Sequence, residues 1–114
     1  MPVVKSNEIK LESVSMDNAK HVTKANTIGP AQGWPGDSMR VFRISPGGHT
    51  PFHQHDYEHV NYFVRGKGIL TLDGEKPTVE ANDHAYVPPN VEHQFENPFD
   101  EDLEFLCIVP IRGA

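Results

Sequence analysis

No stretch of this chain sustains the i, i+3, i+4, i+7 apolar repeat that buries one face of a helix. That absence, with the punctuation that replaces it, constrains the fold more than any other feature. From Ser38 onward, short runs rich in β-branched and aromatic residues are cut by turn formers. Met39–Ile44 ends at Pro46-Gly47-Gly48, and Pro51–His55 is a short segment after it. His59–Arg65 ends at Gly66-Lys67-Gly68. Ile69–Leu72 ends at Asp73-Gly74, a strong signal for a tight hairpin. Pro77–Ala81, Ala85–Val87, His93–Glu96 and Leu103–Val109 follow, separated by Asn82-Asp83, Pro88-Pro89-Asn90 and Asn97-Pro98-Phe99-Asp100. Many short strands at close spacing predict an all-β sandwich or barrel. Ten prolines and nine glycines in 114 residues suit a chain that turns often.

Before Ser38 the pattern is weaker. Ile9–Val14 alternates and predicts an edge strand, and Lys20–Ile28 reads as a strand or an irregular arm. The breakers from Gly29 to Asp37 make a loop in which Trp34 either pins the loop to the core or walls a pocket. No linker or repeat divides the chain. It is expected to be one domain, with residues 1–37 as an arm packing on the barrel or on a partner, and residues 38–114 as the barrel.

The net charge of −6 argues against a nucleic-acid partner, which calls for a basic stripe. No apolar run approaches the ~20 residues of a membrane span, and the first residues have no secretory h-region. The single cysteine, Cys107, cannot form an internal disulfide, so a cytoplasmic location is expected. In its apolar segment Cys107 reads as a small buried hydrophobe with no electropositive setting. Asp100-Glu101-Asp102 reads as a solvated turn.

Four of the seven histidines gather in two segments: His53, His55 and His59, with His93 at the start of another. Residues two apart on a strand leave the same face, so His53 and His55 can share an ion, and His59 keeps that parity. Imidazole suits Mn, Fe, Co, Ni, Cu or Zn. Four protein ligands could close a tetrahedral structural site, or leave open positions on a six-coordinate ion. By alternation Asn61 and Phe63 face inward with His59, and Phe42, Phe95 and Phe105 are further candidates to line a cavity. His49 and His84 read as surface residues.

At these positions the chain resembles the cupin superfamily, whose first motif runs Gly-x5-His-x-His-x3–4-Glu-x6-Gly. Here Gly47, His53, His55, position 59 and Gly66 keep every spacing, but position 59 is histidine. The second motif, Gly-x5-Pro-x-Gly-x2-His-x3-Asn, is matched by Asn82, Pro88, Asn90, His93 and Asn97, with both glycines replaced by asparagine. Asparagine is the next residue to tolerate a left-handed backbone. The resemblance implies a double-stranded β-helix, or jelly-roll barrel. It implies one divalent transition metal on His53, His55, His59 and His93, as in small single-domain bacterial cupins with four-histidine sites. It also implies a homodimer in which N-terminal strands extend the sheets, and oxygenase or decarboxylase chemistry on a small ligand.

Glu58 offers a rival register, because a one-residue slip would swap it with His59; it could instead orient a histidine. Glu58 and Tyr57 are the catalytic candidates, with Asp56 and Glu92 as other possible acids or bases and Tyr62 as another possible hydrogen-bond donor. An all-imidazole set leaves the charge of a divalent ion uncompensated and so favours an anionic substrate, such as a carboxylate or enediol. The rival functions are a non-catalytic module that binds a small metabolite through the metal and a purely structural metal site.

Overall fold

The computed structural model describes residues 2–113, and among these nine strands follow one another. They are β1 (Glu12–Ser13), β2 (Lys20–Ile28), β3 (Asp37–His49), β4 (His59–Arg65), β5 (Lys67–Leu72), β6 (Thr78–Glu80), β7 (His84–Val87), β8 (His93–Glu96) and β9 (Leu103–Pro110). One curled antiparallel sheet joins them in the order β6-β5-β8-β3-β9-β4-β7, with β2 along the other side of β3 and β1 on β2. The architecture is the all-β jelly roll expected.

Alternation puts the core in place. On β9, Leu103, Phe105, Cys107 and Val109 are buried while the residues between them are half-exposed. Leu103 and Phe105 join one core with Ile44 from β3, Phe63 from β4, Leu70 from β5 and Phe95 from β8. Each such aromatic or aliphatic side chain contributes about 1.5–3 kcal/mol by burial. Phe42, Phe105 and Phe95 stack in turn, with centroids 5.3 and 4.4 Å apart, so three strands are sewn together by one aromatic column.

Several boundaries differ from expectation. β3 does not stop at Pro46-Gly47-Gly48. Its first part pairs with β9 as far as Ile44↔Leu103, and His49 then pairs with Glu96 of β8. Gly47 takes φ +82° and lets the strand swing between these partners, an excursion open mainly to glycine. Buried Asn97 holds the swing. Its Nδ2 donates to the Ile44 and Glu101 carbonyls at 2.8 and 2.7 Å, and its own carbonyl accepts from Gly47 N–H at 2.7 Å. Pro51–His55 is not a strand; only a single bridge, His53↔His93, replaces it. The expected Ile9–Val14 strand shrinks to β1, which has a short partner stretch on β2. At the hairpin after β5, Asp73 and Gly74 have φ of 50° and 83°, as a two-residue type I′ loop requires. Asn82 and Asn90 adopt φ of 75° and 64°, so both asparagines that stand for glycines fill left-handed positions.

Gly66 turns β4 into β5 at φ +81°, and a Cβ there would run into the Asp102 carbonyl. Gly74 has nearly the same φ but faces open space. Gly74→Ala should therefore cost only the left-handed strain, about 1–2 kcal/mol, whereas Gly66→Ala should cost at least about 1 kcal/mol more through overpacking. Denaturant unfolding of the two variants checks this, and equal losses would contradict the packing described.

Candidate metal centre

The histidines converge from two strand starts and one loop. His59 opens β4 and His93 opens β8, while His53 and His55 lie on the segment between β3 and β4. That segment is fixed by a reciprocal backbone pair: His53 N–H donates to the His93 carbonyl at 3.2 Å and His93 N–H to the His53 carbonyl at 2.9 Å. The His55 carbonyl accepts from Asn90 N–H at 2.7 Å. Ligand nitrogens of His53, His55 and His93 lie within 4.8 Å of one another. His59 joins them, its ring centroid 5.1 Å from His93 and 5.4 Å from His55. Both His55 and His93 neighbour all three of the other rings.

The outer nitrogens set the tautomers. His55 Nδ1 donates to the Tyr57 carbonyl at 2.8 Å, and His93 Nδ1 to the Val91 carbonyl at 2.9 Å. His59 Nδ1 donates to Asn61 Oδ1 at 2.8 Å, the Asn61 amide being oriented by its own bond to the Leu106 carbonyl. A neutral imidazole with its proton on Nδ1 keeps a bare lone pair on Nε2. His59 Nε2 and His93 Nε2 stand 3.4 Å apart. With both protons committed outward, no hydrogen bond joins them, and two lone pairs face each other. This is the arrangement that a cation between them relieves, and outer hydrogen bonds of this kind accompany metal-ligating histidines. The donor set therefore fits a transition metal.

Burial reinforces the neutral state. His59 is pushed down to about 3, by burial first and then by His93, His55 and Arg40, against the opposing Asn61 bond. His93 is pushed down to about 4, again mainly by burial and opposed by its bond to Val91. His53 is lowered too, by burial and by His55.

A cavity of about 150 Å³ opens beside the cluster. Tyr57 lines it and stacks flat on His55 at 3.9 Å. Glu58 lies outside it, half-exposed, with Oε1 3.9 Å from Arg112 Nη2. Asp56 and Glu92 are exposed and do not line it. Phe42, Phe95 and Phe105 form its apolar wall. Asn61 and Phe63 are buried on the His59 face of β4, as alternation indicated. Trp34 is half-buried and is not a lining residue. Tyr62 bonds Asn82 on the exposed side of β4, and His84 packs edge-on against it. His49 bonds its neighbour's carbonyl through Nδ1, apart from the cluster.

Lys24 and Arg40, which had no role in the sequence reading, also line the cavity, as does Cys107. Cys107 is buried, as expected, but its setting is electropositive where none was expected, because Arg40 Nη2 reaches its Sγ at 3.0 Å. Burial pushes the thiol up, while Arg40 and the Asn61 amide act against that. A parity signal was present, since Arg40 alternates with Phe42 and Cys107 with Phe105.

The model of the family described as "Cupin domain" matches residues 40–109. This chain belongs to the cupin family. Among its relatives, this cupin is 28% identical over 113 residues to the "Oxalate-binding protein" of Thermotoga maritima, covering 94% of this chain and 92% of that one. It is 34% identical to the 1-methylthio-D-xylulose 5-phosphate methylsulfurylase of Rhodospirillum rubrum, over 62% of this chain and 46% of the relative. An uncharacterised protein of Methanocaldococcus jannaschii is 39% identical over 56% of this chain and 52% of its own length. The cupin thus spans about half the length of those latter two. Among solved structures, the polyketide cyclase RemF of Streptomyces resistomycificus superposes with a TM-score of 0.90 at 28% identity, over 96% of this chain and 79% of that one. A predicted oxalate decarboxylase of Thermotoga maritima gives 0.85 at 26%, over 96% and 98%.

The lowered histidines make stability depend on pH. His59 and His93 are neutral when folded but take up protons below about pH 6.5 when unfolded. The unfolded chain then binds more protons, so stability is full above about pH 6.5. It falls as pH drops toward about 4 for His93 and about 3 for His59, by roughly 1.4 kcal/mol per pH unit for each group. Denaturant unfolding of chelator-treated protein at pH 7 and pH 4.5 should show the loss, and His59→Gln should lessen it. A flat profile in the unsubstituted protein would contradict buried neutral imidazoles.

Proposed function

We propose that His53, His55, His59 and His93 hold one divalent transition metal ion, drawn from Mn, Fe, Co, Ni, Cu or Zn, and that this cupin is a metalloenzyme. Its substrate would be a small oxygen-bearing anion, a carboxylate or enediol, and its chemistry of the oxygenase or decarboxylase type. The observation that carries the reading is the facing pair of proton-free Nε2 atoms on His59 and His93, 3.4 Å apart in a buried site.

When bound, such an ion supplies Lewis acidity, polarising and orienting a substrate oxygen. The chain's own residues do the rest. Asn61 and the Tyr57 and Val91 carbonyls hold three imidazoles in one tautomer and one direction. Four neutral ligands leave the ion's charge uncompensated, which attracts an anion. The phenylalanine wall keeps bulk water off one side of the ligand and so strengthens that attraction. Of the two catalytic candidates, Tyr57 borders the cavity and could move a proton there, while Glu58 sits outside beside Arg112.

A second reading, a non-catalytic module that binds a small metabolite through its metal, is favoured by one relative. The Thermotoga maritima protein matched over nearly the whole chain carries a name that speaks of binding oxalate. Homodimerisation also fits. Val60 of β4 and Tyr86 of β7 are register partners, 43% and 54% exposed, and present a contiguous apolar outer face. Residues 1–37 would be the arm that packs on the barrel or partner. A cytoplasmic setting agrees with the unpaired Cys107 and with the lack, among the described residues, of a helix long and apolar enough to cross a membrane.

Elemental analysis after purification tests the metal. The unsubstituted protein should retain close to one ion per chain, and His53→Ala with His93→Ala should remove at least about nine-tenths of it. Oxygen uptake or carbon dioxide release, followed with small carboxylates for each metal form, then separates enzyme from binder. Unchanged metal content in the double variant would refute the site.

A further inference from the structure

The cavity carries a second polar feature, opposite in kind to the histidines. We propose that Lys24 and Arg40 form an anion subsite that holds the carboxylate of a small organic acid while the acid's remaining oxygens face the histidine cluster. Only the second half of that statement rests on the metal reading above.

Lys24 and Arg40 sit on neighbouring strands β2 and β3, and both line the cavity. They share the ring of Phe42, with Lys24 Nζ 5.9 Å and the Arg40 guanidinium carbon 5.0 Å from its centroid. Two cations are thereby brought to the Phe42 side of the pocket. Among the described residues neither makes an ion pair; the pairs present involve Arg43, Arg65 and Arg112 instead. Glu12 stands opposite Lys24 in the β1–β2 register, yet no ion pair forms between them. Like charges held together without an acid are costly, and Lys24 shows it. Its ammonium is lowered by burial first and by Arg40 second.

Arg40 is the stronger indicator. It is only 8% exposed. Nη1 donates to the Gly113 carbonyl at 3.3 Å and Nη2 to Cys107 Sγ at 3.0 Å, while its buried Nε–H meets no acceptor. A thiol is a weak acceptor, so the guanidinium is under-satisfied in a place where that is penalised. A carboxylate supplies the acceptors that are missing and neutralises charge at the same time.

Size selects the class of acid. A cavity of about 150 Å³ is of the order that encloses a benzene-sized molecule. An organic acid of a few carbons is of that size.

Calorimetric titration of the metal-loaded protein tests the subsite, with malonate, its neutral isostere malonamide and inorganic phosphate as probes. Malonate should bind at least tenfold more tightly than malonamide. Lys24→Gln, at a half-buried position, should weaken malonate at least tenfold with metal content unchanged. Arg40→Gln should do the same, and Arg40→Lys should restore part of the loss. Should Arg40→Gln fail to fold, Lys24→Gln and the malonamide comparison decide. Repeating the titration after chelation separates the two proposals, since malonate binding that persists and still depends on Lys24 supports the subsite even if the histidines hold no metal. The subsite is overturned if malonate does not bind, if malonamide matches it, or if Lys24→Gln binds malonate as the unsubstituted protein does. Tighter binding of phosphate than of malonate would overturn the assignment to carboxylates.

Discussion

Three imidazoles in this barrel are held by the nitrogen that points away from the site. Because Nδ1 of His55, His59 and His93 each meets an oxygen acceptor, each Nε2 must present a lone pair inward. The site's character depends on that constraint. It fixes which nitrogen faces inward, and, with burial keeping His59 and His93 neutral, it makes their 3.4 Å approach unfavourable without a cation. It also ties the site to the backbone, since two of the three acceptors are main-chain carbonyls in the turns leading to β4 and β8. A residue that shifted either turn would rotate a ring without touching it.

Much of this was legible along the chain. The spacing of His53, His55, His59 and His93 announced convergence, and turn chemistry located most strands. The bounds of β2, β4 and β8 coincide with those expected. Parity at β4 put Asn61 and Phe63 on the inner side with His59. The asparagines at 82 and 90 could be read as glycine substitutes because a left-handed residue is a local requirement, visible in the chain's own punctuation.

What was illegible is non-local. Pro46-Gly47-Gly48 looked like an end because prolines and glycines usually end strands. In the fold Asn97, fifty residues on from Gly47 by number, gives that kink its hydrogen bonds and turns it into a passage from β9 to β8. Pro51–His55 was expected as a short strand between breakers, but only one residue pair of it meets β8. Cys107 looked inert because its sequence neighbours are apolar. Its cation arrives through the Arg40↔Cys107 register of β3 and β9, a pairing that no local window contains. The sheet also brings Lys24 and Arg40 to one cavity wall, and so gives the pocket a cationic side as well as a nitrogen-rich one.

The central claim is that four imidazoles share one ion. X-ray absorption at the metal edge of the purified, metal-loaded protein tests it most directly, because multiple scattering counts imidazole rings and sulfur is distinguishable from nitrogen. The account predicts four imidazoles, no sulfur, and any remaining ligands as light oxygen or nitrogen donors. A sulfur scatterer, which would implicate Cys107, or a count of two imidazoles or fewer, would contradict it.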